Sequence, residues 1–181
     1  MARLPPIDTD TMTPEAKRAY DEILRVRGQV RGPFAIWLSG SPELCEMALK
    51  LQDWFPKHAK FERRLLELMI LVLARKSNAQ FAWFVHEPHA ARLGIAPGII
   101  EALRERRTPD FAREDERLVY DVTLELDATK TLSPGTYARA VAAFGPQVLV
   151  QLVAAVGFYE MVAMTLNTFE APVPGGKLPL A

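Results

Sequence analysis

The sequence is poor in features that announce several large classes of protein. It has one cysteine, Cys45, which excludes an intrachain disulfide and a thiolate metal site within one chain. A lone thiol suits a reducing compartment, and a cytoplasmic location is expected. No charge of one sign prevails, because 22 Lys and Arg balance 22 Asp and Glu. Without a basic excess there is no electrostatic pull toward nucleic acid or an anionic membrane surface. Weak self-repulsion in turn permits association between copies. The first residues, Met1-Ala2-Arg3-Leu4-Pro5-Pro6, lack the apolar run of a signal peptide. The longest apolar stretch, Val148 to Tyr159, is broken by Gln151 and followed by Glu160, so it reads as a buried helix too short to span a bilayer. Strand signals are scarce, and there is no Asn-Gly or Asp-Gly hairpin dipeptide. Gly-rich phosphate loops and Gly-x-Ser-x-Gly elbows are also missing.

What is present is helical punctuation. Thr13-Pro14-Glu15, Ser41-Pro42-Glu43 and Ser133-Pro134 each put a hydroxyl at an N-cap and Pro at the first helical position. The first run stops at Gly28, the second at Pro56, and the third at Gly145-Pro146. Residues 62–76 are apolar nearly all round and predict a central buried helix. Ser77-Asn78 ends it and leads into a helix from Ala79 to Leu93, closed by Gly94. Further helices are expected at about 96–106, at 112–127 with Asp110 as cap, and from Pro146 to about Thr168. Residues 1–12 and 171–181 are Pro-rich and aperiodic, and read as extended arms over the body or a neighbouring subunit. The expectation is a single all-α domain over 1–181 with about eight helices, 62–76 and 79–93 forming its central pair.

The segment from Glu67 to Gly94 carries the chemistry. On a helix beginning near Ala79, positions 79, 82, 83, 86 and 90 share one face, and His86 is its single imidazole. An imidazole in an apolar stripe needs a partner or loses its charge. Glu67 stands in a nearly charge-free stretch of the preceding helix, and an antiparallel pair with a tight turn could bring the two together. A carboxylate on imidazole fixes its tautomer and raises its basicity, as proton transfer near neutral pH requires. At this level the pair could equally be structural, and Glu67 could face solvent. His89 lies on an adjacent part of the helix. No metal is expected from Glu67, His86 and His89, since Pro88 intervenes and helical metal pairs usually sit at i, i+4. Cys45 reads as a small buried hydrophobe, His58 as a surface residue, and Trp83 as core or a pocket wall.

The pattern Glu67, a long apolar helix, then Trp83-x-x-His86-x-x-x-Ala90-x-x-x-Gly94 resembles the carboxymuconolactone decarboxylase and alkylhydroperoxidase D superfamily. The likeness spans about Leu65 to Leu103. Gly32-Pro33-Phe34, Ser41-Pro42 and the tail Asn167-Thr-Phe-Glu-Ala-Pro-Val-Pro add to it. The resemblance implies an all-helical bundle, assembly into trimers or hexamers, and a small-molecule pocket lined by the Glu and His. The peroxidase branch carries Cys-x-x-Cys where this chain has Ala79 and Ala82, so its thiolate nucleophile is missing. The decarboxylase branch implies proton chemistry on a small carboxylated lactone or related organic acid, with no cofactor. There His86 would be the acid/base, Glu67 its orienting partner, and Trp83, Ala79 and Ala82 the pocket lining. Arg75 is the nearest cation in sequence for a substrate carboxylate. The alternatives are a peroxidase-type protein using Cys45 or a partner thiol, and a binding protein that keeps the fold without the chemistry.

Overall fold

The computed structural model describes residues 2–176 and 178–180. Its helices run α1 Pro14–Arg27, α2 Pro33–Gly40, α3 Pro42–His58, α4 Arg63–Lys76, α5 Gln80–Arg92, α6 Pro97–Arg104, α7 Glu114–Thr129, α8 Pro134–Phe144 and α9 Pro146–Thr168, with a 3-10 turn at Thr9–Thr11. The described residues form no strand, and the chain is all-α as its punctuation requires. The hydroxyl caps act as the sequence implies: Thr13 accepts from the Ala16 amide and Ser41 from the Leu44 amide, each at 3.2 Å, and Ser133 accepts from Thr136.

α4 is the axis of the core. Every residue from Arg64 to Ala74 is buried, against α5, α6, α7 and α9 on different sides. Removing one of its large side chains, such as Leu68 or Leu71 (both 0% exposed), would leave a cavity costing about 2–5 kcal/mol. The Arg64 guanidinium near its start is buried with ion-pair partners on α7, binding Asp115 at 2.7 Å and also Glu116. That network sets the start of α7 at Glu114, two residues later than Asp110 capping predicts. The first turn then holds Glu114, Asp115 and Glu116 at the positive end of the helix dipole.

One proline departs from expectation. Pro56 does not end α3, which continues to His58. The extra turn keeps Phe55 at 2% exposure, with its ring 5.8 Å from Phe158 and 6.4 Å from Tyr159. That aromatic burial outweighs the single backbone hydrogen bond a late proline removes. Pro88 lies inside α5, as the expected helix from Ala79 to Leu93 requires.

α9 extends for 23 residues, and its length and composition alone would suffice to cross a membrane. Leu149, Leu152, Val156 and Phe158 are buried inside the bundle, so it serves as a core helix. Both arms lie over the body. The Arg3 amide donates to the Phe169 carbonyl at 3.1 Å, its guanidinium bonds Glu170 and the Thr168 carbonyl, and the Leu180 amide reaches Gln80 Oε1 at 2.9 Å.

Candidate active site

The site depends on the turn between α4 and α5. Asn78 adopts φ 52°, a left-handed conformation that Asn tolerates better than most side chains. The Ala79 amide donates back to the Ala74 carbonyl at 2.7 Å, the reversal that ends many helices. Arg75 Nη1 closes the turn by donating to Asn78 Oδ1 at 2.9 Å. α5 therefore folds directly back on α4, and His86 comes opposite Glu67.

His86 Nδ1 lies 2.7 Å from Glu67 Oε2. A carboxylate only accepts, so the proton of this bond sits on Nδ1. Nε2 is left without a hydrogen-bond partner among the described residues. Glu67 is 4% exposed, so its carboxylate is largely withdrawn from water. Its other oxygen, Oε1, stands 3.8 Å from His89 Nδ1, and the two imidazole centroids are 5.9 Å apart. Burial lowers the His89 pKa, while Glu67 pulls the other way. Across the ring of His86, Tyr159 packs edge to face at 5.8 Å. Burial, reinforced by the Glu67 charge, raises the Tyr159 pKa and keeps its phenol neutral. Gln52 holds that hydroxyl and accepts from Arg27 Nη1 at 2.7 Å.

His86 and His89 line a cavity of about 370 Å³, with Ala82, Phe81, Arg27 and Arg31 also on its wall. Arg27 is exposed as a residue, yet its guanidinium is stacked 5.0 Å from the Phe34 centroid. Desolvation there lowers its pKa, with Tyr159 and Asp53 opposing and the charge of Arg31 adding a little. Neither arginine forms an ion pair with a carboxylate among the described residues. The one acid lining the cavity, Asp53, is held by Lys57 at 2.6 Å. The cavity is thus electropositive at its rim and offers a free imidazole nitrogen on its wall.

The residues singled out from sequence part company here. Glu67 and His86 meet, and Ala82 lines the cavity. Ala79 is fully buried and does not line it. Trp83 is also fully buried and is no wall of this cavity; its Nε1 donates to Glu87 at 2.8 Å, and Arg104 lies 5.4 Å above its ring. Arg75 is elsewhere, beside Lys76, Arg106 and Arg107 on a separate cavity of about 160 Å³. Two and a quarter helical turns separate it from Glu67, roughly 12 Å of rise, and its Nη1 serves the turn and the Leu180 carbonyl. Arg75 therefore does not line the His86 cavity, and the cations that do are Arg27 and Arg31. Sequence reading missed these two, along with Gln52 and Tyr159. A signal existed for the last two, since Gln52 is the polar residue on the otherwise apolar inward face of α3 and Tyr159 carries a hydroxyl into the apolar α9. Cys45 is fully buried on α3, donates to the Phe34 carbonyl at 3.4 Å, and has its thiol pushed up to about 12 by burial.

No family model and no curated protein matches this sequence. Solved structures do match. An uncharacterized peroxidase-related protein from Ralstonia eutropha JMP134, described as an alkylhydroperoxidase AhpD core, superposes with a TM-score of 0.76 at 11% identity, over 99% of this chain and 97% of that one. An uncharacterized peroxidase-related protein from Silicibacter sp. TM1040 gives 0.73 at 14% identity, over 94% and 90%. A protein of unknown function from Agrobacterium tumefaciens, described as a candidate antioxidant defence protein AhpD, gives 0.65 at 17% identity, over 76% and 95%. At such identities the likeness is one of architecture, and what the chain shares with these proteins is the AhpD-like helical fold.

Proposed function

We propose that this protein is a cofactor-free acid/base enzyme that moves a proton at carbon next to the carbonyl of a small organic acid or carboxylated lactone. The supporting observation is the 2.7 Å contact of His86 Nδ1 with buried Glu67, on the wall of a cavity whose other lining includes two arginines without carboxylate partners. With Nδ1–H donated to the carboxylate, Nε2 accepts a proton, and Glu67 stabilises the imidazolium that forms. In an isomerisation the same proton returns to a neighbouring carbon. In a decarboxylation the electrons of the breaking C–CO2 bond pass into the conjugated carbonyl, carbon dioxide leaves, and His86, having taken a proton from water at Nε2, delivers it to the enolate carbon. Neither course consumes an oxidant. Arg27 and Arg31 would hold the substrate carboxylate by charge-assisted hydrogen bonds.

Thiol-based peroxide reduction is the weaker reading. Ala79 and Ala82 supply no sulfur, and the Cys45 thiol is buried and pushed up to about 12. We also propose a homo-oligomer, a trimer or hexamer, in which outward apolar residues of α9 (Val150 and Met164, 69% and 63% exposed) and α3 (Met47, 55%) are covered by another copy. Met164→Glu should then shift the sedimenting species to smaller mass; an unchanged mass would reject α9 as the interface.

The catalytic reading is tested by proton exchange. A panel of carboxylated butenolides and 3-oxo acids is incubated with protein in D2O and followed by NMR. The wild type should exchange or convert at least one of them, and His86→Asn should do so at least about 100-fold more slowly with an unchanged circular-dichroism spectrum. No exchange by the wild type, or equal exchange by a folded His86→Asn protein, would overturn it.

A further inference from the structure

A second and larger cavity, of about 720 Å³, adjoins the first. Its floor is α2 with Phe81 of α5, and its cover is the two terminal arms, represented by Leu4, Ile7, Phe169 and Val173. The N-terminal arm is fastened to the end of α9 by the hydrogen bonds of Arg3 to Thr168, Phe169 and Glu170, and residues of both arms line the space without filling it. Its volume lies in the range of small-molecule sites.

Charge gives the cavity a direction. Among its described lining residues Arg31 is the one that carries charge, and Arg31 also lines the His86 cavity. Phe81 is likewise common to both, with the Arg31 guanidinium 5.9 Å from its ring centroid. Gly32, on the lining of the larger cavity, lets the shared Phe81 ring approach its backbone closely. Gly32 has φ 61°, and a Cβ there would fall 2.4 Å from the Phe81 ring. Only a residue without a side chain lets Phe81 come this close to the backbone. Arg31 has no hydrogen bond or ion pair to any described residue, so an anion meeting it displaces nothing.

We infer that the two cavities are the halves of one site for an amphipathic monocarboxylate, whose carboxylate sits on the shared Arg31 and whose apolar tail of several carbons occupies the arm-covered cavity. This rests on the acid/base reading only for what happens to the ligand at His86, and narrows its substrate class to acids with an apolar extension. Binding itself does not require His86.

The test is a homologous series of straight-chain acids, butanoate, hexanoate and octanoate, with 1-octanol as the uncharged control, titrated calorimetrically into the full-length protein. Each methylene buried in the larger cavity should tighten binding about fourfold. Ala35→Phe from α2 and Ala171→Phe from the C-terminal arm both fill that cavity, and either folded variant should flatten the dependence on chain length. Arg31→Gln should weaken octanoate at least about tenfold while leaving 1-octanol within about twofold. His86→Asn should bind the series as the wild type does, even where proton exchange is lost. Affinity independent of chain length in the wild type would overturn the inference, as would a length dependence that survives both filling variants. So would octanoate and octanol responding alike to Arg31→Gln. In each case His86-dependent exchange, measured separately, would still stand or fall on its own.

Discussion

Glu67→Gln removes a charge from the buried pair while keeping its shape, and so separates a working carboxylate from a structural one. In the resting protein a charge-assisted bond to His86, worth about 1.5–3 kcal/mol, becomes a neutral one worth about 0.5–1.5 kcal/mol. Against this loss, the amide relieves the desolvation of an ion that is only 4% exposed, a penalty of several kcal/mol. The two effects oppose, and the urea midpoint should move by no more than the equivalent of about 1 kcal/mol. The reaction is affected differently. When His86 takes up a proton, the Glu67 charge about 4 Å from the centre of the imidazolium contributes roughly 4 kcal/mol at an effective dielectric constant near 20. Losing it should slow proton exchange about 10²–10³-fold. Chemical denaturation and NMR exchange on one preparation measure both quantities. A variant destabilised by more than about 2 kcal/mol, whose folded fraction exchanges at the wild-type rate, would refute the reasoning and make the pair structural.

Cys45 should resist iodoacetamide in the native protein at pH 8, because a thiol pushed up to about 12 is almost entirely protonated and is also inaccessible. Mass spectrometry before and after urea checks this, and rapid native labelling would reopen the redox reading. Asp115 is lowered from the ordinary 3.8 to about 2, chiefly by Arg113 and further by Arg64, while burial opposes. Its folded value lies below its unfolded one, so the stability it contributes is present above about pH 4 and disappears as the pH falls through about 2. The urea midpoint of the wild type should therefore decline between pH 4 and 2 more steeply than that of Asp115→Asn, and parallel declines would exclude the carboxylate as the cause.

Much of the fold was legible because helix ends are local chemistry. Thr13, Ser41 and Ser133 satisfy amides three residues away, and Gly28 and Gly145 take the positive φ needed beyond a helix end. Where the boundaries slipped, a distant partner was responsible. Phe55 carries α3 past Pro56 to reach α9, and Arg64 of α4 sets the start of α7. The same division runs through the site. Glu67 and His86 lie on consecutive helices joined by a tight turn, so their meeting could be anticipated from spacing and apolar context. Arg27, Arg31, Gln52 and Tyr159 come from helices or connections far away in the chain, and nothing in their spacing relates them to His86.

By itself, the order of residues settled the helical class, a central α4 apolar on all sides, and the absence of a thiol pair, since each follows from short-range hydrogen bonding, periodicity or composition. Tertiary packing decided which cations face the imidazole. It turned Arg75 away with the end of α4 and brought Arg27, the last residue of α1, and Arg31, just after it, to the wall of the His86 cavity. It also decided that the arms enclose a second cavity and that His89 shares the carboxylate of Glu67. Such contacts are fixed by how helices cross, and crossing is determined by the burial of whole faces together rather than by any single segment.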